Sequence, residues 1–313
     1  MNDSALHVSS GEHARLTSRA AILSVTVAIV LMALKGWSWW ASGSVAMLAT
    51  LADSTLDLLA SIVILLAVRY AATPPDREHR FGHGKAEAFA GLIQAGIVGV
   101  SALFIGVEAL RRLLSPQPLT HPGESIAVMA IAILLTTGLI AYQTYVARRT
   151  GSIATRADRL HYAGDVAANV AVIIGIAAGA YLGAAWADPA AALFVAAWLI
   201  YGAYKIWREA ADHLLDREVP DETRAKIRAL AEEDPRMLRV HDLRTRTSGP
   251  YLHIQFHAEL EPEQTLEQAH EIVVAAEDRI RAAFPTADII IHPDPKGRAE
   301  PHGHEHFERA SGH

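Results

Sequence analysis

Two pairs of ionisable residues sit four positions apart inside long apolar runs: Asp53 with Asp57, and His161 with Asp165. The i, i+4 spacing puts both members of a pair on one face of a helix, so all four side chains can point inward together. A carboxylate at the centre of a membrane-spanning helix costs about 2.5–3.5 kcal/mol. Helix–helix contacts in membranes are ordinarily made with Ser, Thr or small residues, so three carboxylates and an imidazole point to function rather than packing. Such a quartet offers a tetrahedral site to a divalent cation, and its nitrogen favours zinc-like over calcium-like ions. The same groups take up protons once the metal leaves, because ligands coordinate only when deprotonated and histidine titrates near neutrality. Competition between metal and protons for one site is the chemical basis of antiport.

The elements that must position these residues are long. Six stretches satisfy the requirement of roughly 20 apolar helical residues for crossing a bilayer: Ala20–Trp40, Val45–Tyr70, Ala88–Leu114, Ser125–Val146, Leu160–Leu182 and Ala190–Trp207. The links Ser42-Gly43, Pro116–Gly123 and Asp188-Pro189 are rich in breakers, which predicts antiparallel neighbours. Lys and Arg concentrate on one side, at Arg15, Arg19, Arg69, Arg77, Arg80, Lys85, Arg148, Arg149, Arg156, Arg159, Lys205 and Arg208, with Arg111 and Arg112 opposite. The positive-inside rule then places both termini in the cytoplasm. Met1 to Ser18 lacks the pattern of a cleaved signal peptide, so the first apolar run is expected to stay. Gly36, Gly43, Gly91, Gly96, Gly99, Gly175 and Gly179 are expected to allow close helix contacts.

From about Val219 the pattern turns soluble, in the order helix (Glu222–Glu233), strand (Leu238–Thr245), strand (Tyr251–Glu259), helix (Leu266–Phe284), strand (Ala287–His292). The fold expected is therefore an α-helical membrane protein of six transmembrane helices with a C-terminal cytoplasmic α+β domain, a ferredoxin- or metallochaperone-like αββαβ sandwich with its helices on one face of a mostly antiparallel sheet. The domain division expected is 1–15, a cytoplasmic N-terminal segment; 16–212, the six-helix transport domain; 213–296, the cytoplasmic domain; and 297–313, a disordered tail carrying His302-Gly303-His304-Glu305-His306. The chain has no cysteine, which leaves His, Asp and Glu to hold any transition metal. The net charge of −6 leaves no basic footprint for nucleic acid.

Gly43-Ser44-Val45, the Asp53/Asp57 pair, Phe81-Gly82-His83-Gly84-Lys85-Ala86-Glu87 and Leu160-His161-Tyr162-x-x-Asp165, in this order, resemble the cation diffusion facilitator family. His241-Asp242-Leu243-Arg244-Thr245-Arg246 followed by Ser248-Gly249-Pro250 narrows the resemblance to its bacterial zinc and iron efflux group. The resemblance implies a proton-coupled homodimer in the bacterial inner membrane, with Asp53, Asp57, His161 and Asp165 as the transport site. It also implies zinc and cadmium as cargo, with ferrous iron a further candidate, because a histidine stands at position 161. It implies a second metal site in the loop at Asp76, His79 and His83, which by chemistry alone reads equally as a solvated loop. A third is implied at His241, His257, His270, His292 and Asp294, binuclear and bridged by Asp294, with bound zinc in a stabilising or sensing role. Lys85 and Asp216 match the partners of a charge interlock between the two domains. His253 shares a strand face with His257 but departs from the family pattern and is not counted as a ligand.

Two other classes are weaker. A metal channel needs sites that release ions quickly, which a closed four-ligand zinc site does not. An intramembrane zinc enzyme needs an open coordination position and is unsupported by any His-Glu-x-x-His helix. No enzyme activity and no organic cofactor are expected.

Overall fold

The computed structural model describes residues 8–42, 45–114, 126–182 and 186–298. The links at Gly43 and at Pro116–Gly123, the start of the N-terminal segment and the histidine-containing tail lie outside the described residues. The described chain divides into two compact units, a helical one up to Asp216 that also takes in Ser248–Pro250, and a second made of the remaining residues from Arg217 onward.

The helical unit holds six long helices: α1 (Ser10–Ser42), α2 (Val45–Ala71), α3 (Lys85–Leu114), α4 (Ile126–Thr150), α5 (Ile153–Leu182) and α6 (Ala187–Leu214). Among the described residues, five of these are long and apolar enough to cross a membrane by length and composition. The sixth, α5, has 30 residues, about 45 Å of helix, and carries its charged residues in its first half. Several helices begin earlier than the apolar runs: α1 at Ser10 rather than Ala20, α5 at Ile153 rather than Leu160. Hydropathy marks only the part that meets hydrocarbon, and polar turns that project beyond it continue the same helix. Asp188-Pro189, expected as a link, falls in the first turn of α6, where proline's missing N–H is no loss.

Packing among these helices is uneven. α3 lies most extensively on α6 and α1 on α2, whereas α2 and α5, which carry the two ionisable pairs, share only a small contact. The α5–α6 seam is built from reciprocal notches. A Cβ at Gly164 would stand 2.9 Å from Leu199 Cδ2, and one at Gly202 would stand 2.9 Å from Leu160 Cδ1. Of the glycines expected at close contacts, Gly91 is one, its Cβ position 2.6 Å from Ile153 Cγ2, whereas Gly96 faces nothing within 4 Å.

The second unit runs α7 (Asp221–Ala231), β1 (Arg239–Ser248), β2 (Tyr251–Leu260), α8 (Leu266–Ala283) and β3 (Ala287–Pro295). Gly249 (φ +57°) and Pro250 join β1 to β2 as a two-residue hairpin, which makes that pair antiparallel. β2 and β3 pair in parallel, and the sheet order is β1-β2-β3. The sheet is thus evenly mixed rather than mostly antiparallel, because α8 is a crossover that returns the chain in the direction of β2. Thr265 and Gln268 cap α8 reciprocally. Leu252, Ile254 and Phe256 on β2 and Ile289 and Ile291 on β3 are buried with Ile272 and Ile280 of α8, which defines the inner face. The register pairs His257 with His292 and Glu259 with Asp294, so these side chains share the opposite face.

Candidate metal centre

In the helical unit, Asp57, His161 and Asp165 each offer a ligand atom, all within 4.8 Å of one another. His161 Nε2 stands 3.0 Å from Asp57 Oδ1 and 3.9 Å from Asp165 Oδ2. That nitrogen is buried and not aligned for a hydrogen bond with either carboxylate, an arrangement in which three ligand atoms converge on a common point. Asp53 lies one turn earlier on α2, is exposed within the isolated chain and stands outside this set, although it remains within electrostatic reach of Asp57 and His161.

The imidazole is held from behind. Tyr162, fully buried, packs its ring edge-on at 5.3 Å from that of His161, and its hydroxyl meets Ser61 Oγ at 2.8 Å and donates to Ser24 O at 3.3 Å. One turn before His161, buried Asp158 takes hydrogen bonds through Oδ2 from Ser24 Oγ (2.6 Å) and Gln143 Nε2 (2.8 Å). These contacts tie α1, α2 and α4 to the turn of α5 that carries His161 and Asp165. Asp158, the buried pair His13–Glu87 and Lys35 were missed by sequence reading. Lys35 is an isolated charge in an apolar run, which was the available signal; Asp158, His13 and Glu87 sit among other charged residues, beside Arg156 and Arg159, Glu12 and Arg15, and Lys85, and carry no such signal.

The loop after α2 gathers Asp76, His79 and His83. Asp76 Oδ1 accepts from the backbone N–H of His79 (2.6 Å) and of Glu78 (2.9 Å), an Asx-type turn that brings the ligands round. Those two donors, with His79 the larger influence, hold the Asp76 carboxyl below the usual range. His83 Nδ1 lies 3.2 Å from Thr73 O, which can only accept, and its Nε2 is turned to Asp76 Oδ2 at 3.3 Å. His83 is buried under the ring of Tyr70 at 4.6 Å, whereas Asp76 and His79 are exposed.

On the outer face of the sheet, Asp294, 3% exposed, is surrounded by imidazoles. Its Oδ2 lies 3.0 Å from His257 Nδ1 and 3.4 Å from His241 Nε2, and its Oδ1 lies 3.2 Å from His292 Nε2. Each oxygen thus addresses a different imidazole group, the disposition a carboxylate needs to bridge two ions. A buried carboxylate ringed by nitrogens, with His241 Nδ1 buried and lacking a hydrogen-bond partner, fits zinc by donor type and count. Burial, then the neighbouring His257, pushes the His241 pKa down, so that imidazole stays neutral and able to coordinate. His270 is exposed on α8 and is not gathered with the others within this chain. His253 pairs instead with Asp288 at 3.1 Å.

His241 reaches that face through a break in strand phase. Leu243, Thr245 and Thr247 are buried on the inner side, and strict alternation would put His241 with them. Asp242 has φ +49°, a bulge-like conformation that resets the phase, so Val240 turns inward and His241 outward. Lys85 Nζ and Asp216 Oδ1 meet at 2.8 Å, and Lys85 also donates to Leu214 O at 3.4 Å, joining the start of α3 to the end of α6. Asp216 has φ +57° and ends α6 in the left-handed conformation common beyond a helix C-terminus.

The family Cation efflux transmembrane domain matches residues 21–215, and Cation efflux protein, cytoplasmic domain matches 219–296. A Cation-efflux pump FieF of Cronobacter sakazakii is 43% identical over 284 residues, covering 91% of this chain and 94% of that protein. Its counterpart in Yersinia enterocolitica is 42% identical over 297 residues, covering 95% and 99%. Among solved structures, the zinc form of CzrB is 34% identical, covering 27% of this chain and 98% of that one at a TM-score of 0.26.

Proposed function

This chain belongs to the cation efflux family of membrane transporters, and we propose that within it the protein exports zinc, and with it cadmium and ferrous iron, from the cytoplasm in exchange for protons. Family membership makes it a multi-pass transporter of divalent metal cations and not an enzyme. The observation that carries the finer reading is the convergence of Asp57, His161 and Asp165 between two helices that otherwise touch little. A nitrogen with carboxylate oxygens suits zinc-like ions, and Asp53, one turn away on α2, is the fourth ligand that closes when α2 shifts against α5. A site shared by two loosely packed helices can face one side of the membrane and then the other, which favours alternating access over an open channel.

Energetics require coupling. Moving a divalent ion out against about 100 mV costs roughly 4.6 kcal/mol, and each entering proton returns roughly 2.3. Protons that replace the metal on the same carboxylates and imidazole supply that coupling without a second pathway.

The remaining assignments extend this reading. Residues 16–212 form the transport domain in a bacterial inner membrane, with both termini cytoplasmic. Residues 213–296 form a domain through which two copies associate. Asp294 would hold zinc with His241, His257 and His292, stabilising or sensing, and His270 would join only if the assembled state brings it in. Asp76, His79 and His83 receive metal on the cytoplasmic side.

The test is zinc transport into proteoliposomes under an imposed pH gradient, with internal pH read alongside internal zinc. Proton movement opposite to zinc, lost in Asp57→Ala, is expected. Zinc flux without counter-moving protons would sink the antiport reading in favour of a channel or uniporter.

A further inference from the structure

Lys35 lies in α1, within an apolar stretch that ends at Trp39-Trp40. A lysine this near a helix end ordinarily extends its stem and places the ammonium at the membrane surface. Here it does not. Lys35 Nζ donates instead to Ser54 Oγ at 2.6 Å, and Ser54 is buried at 2% exposure. Ser54 neighbours Asp53 in sequence and precedes Asp57 by three residues, so the ammonium is anchored to the turn of α2 that presents the transport carboxylates. It stands within electrostatic reach of both Asp53 on α2 and Asp165 on α5.

We propose that Lys35 is the fixed counter-charge of the transport pocket, which makes the pocket neutral when a divalent cation is bound and so keeps that cation releasable. The inference rests on the reading of Asp53, Asp57, His161 and Asp165 as the transport site. The three carboxylates of the ligand set carry three negative charges; Asp158 lies behind His161, outside that set, with its Oδ2 taken up by Ser24 and Gln143. A divalent ion removes two of the three charges, and the loaded pocket would keep one in a medium where uncompensated charge is expensive. Lys35 supplies the missing positive charge without occupying a coordination position, because a protonated ammonium has donors only. It is hydrogen-bonded to a hydroxyl rather than fused to one carboxylate, so its field acts on the whole set. The consequence is specificity for valence: two positive charges balance the pocket, and a singly charged ion leaves it negative. The second consequence is kinetic, because removing the ammonium deepens the well from which the metal must escape.

The experiment is equilibrium zinc titration of the full-length protein at fixed pH, together with the rate of zinc loss to excess chelator, for wild type, Lys35→Met, Lys35→Gln and Lys35→Arg. Asp57→Ala identifies the membrane component of the isotherm as the part it abolishes. Losing a charge at this range is expected to tighten that component roughly ten- to a hundredfold in Lys35→Met and Lys35→Gln, and to slow release in proportion. Lys35→Arg keeps the charge and is expected to behave as wild type. Lys35→Gln keeps a hydrogen-bonding partner for Ser54, so it reads the charge alone should Lys35→Met fail to fold. Wild-type affinity and release in a folded Lys35→Gln would overturn the proposal and leave Lys35 as a helix tie. An isotherm untouched by Asp57→Ala would overturn the transport-site reading itself, and the role of Lys35 with it.

Discussion

Asp242 determines where His241 points, although it is not itself gathered into the histidine cluster. Its φ of +49° is tolerated by aspartate, free for glycine and strained for a β-branched residue. Asp242→Gly is therefore expected to keep the phase of β1 and the zinc affinity of the Asp294 cluster. Asp242→Val is expected to lose about 1–2 kcal/mol and at least tenfold in affinity as β1 relaxes to plain alternation. Chelator competition on the two full-length variants checks this, and equal affinities would remove Asp242 from the account. The histidines themselves were legible from residue type, but their convergence was not: a period of two across Leu238–Thr245 puts His241 with Leu243, and one left-handed residue reverses that. Beside it, His241 has a pKa lowered by burial and by His257, with Asp294 and Glu259 opposing and Arg239 reinforcing. A depressed histidine makes the unfolded chain the better proton acceptor. With metals stripped, stability contributed through His241 is expected to be intact above about pH 6.5 and to fall as pH drops below it. Melting curves from pH 7.5 to 5.5 should be less steep in pH for His241→Asn than for wild type; identical slopes would contradict the assignment.

Helix placement depends on contacts that hydropathy does not encode. Six spans were legible because apolar runs of that length have few other uses, and the two ionisable pairs were legible from their four-residue spacing. The seam that orients them was not, since Gly164 and Gly202 carry no periodic signal and their role appears only when Leu199 and Leu160 fill them. Leu160 and Gly164 bracket His161, so widening this seam displaces His161. Gly202→Ala meets only the flexible end of Leu160 and is expected to be mild. Gly202→Val is expected to cost about 1–3 kcal/mol and to reduce zinc flux with all ligands present. A folded Gly202→Val with wild-type flux would show that the seam does not position His161. At the start of α3, Glu87 receives His13 Nε2 at 3.0 Å and Ser152 Oγ at 2.5 Å, both histidine and carboxylate being about 6% exposed at their side chains. Removing one member strands a buried partner, so Glu87→Ala is expected to lose about 3–5 kcal/mol, and the double variant with His13→Ala less than the sum of the two. Additive losses in thermal unfolding would mean that the pair is not coupled.

At the scale of the whole chain, charge distribution decides orientation, and the fold makes the inference sharper than the sequence did. The start of α1, the end of α2, the starts of α3 and α5 and the ends of α4 and α6 carry Arg15, Arg69, Lys85, Arg156, Arg149 and Arg208, respectively. In six antiparallel spans these ends share one side, and Arg111 and Arg112 at the end of α3 fall on the other. The two arginines are outnumbered, and one is already neutralised by Glu108 at 3.0 Å. The excess on the first side is the ground for the orientation proposed above, since insertion retains Lys and Arg in the cytoplasm. The chain has no cysteine, so single introduced thiols report on side without background. Ser9→Cys and Arg208→Cys are expected to react with an impermeant maleimide only after the cells are opened, and Leu114→Cys to react in intact spheroplasts. Labelling in the reverse pattern would invert the direction of transport proposed above, because the loop holding Asp76, His79 and His83 would then face away from the cytoplasm. Equal labelling of all three positions in intact spheroplasts would instead indicate leaky membranes, which a cytoplasmic marker enzyme assayed in the same samples detects.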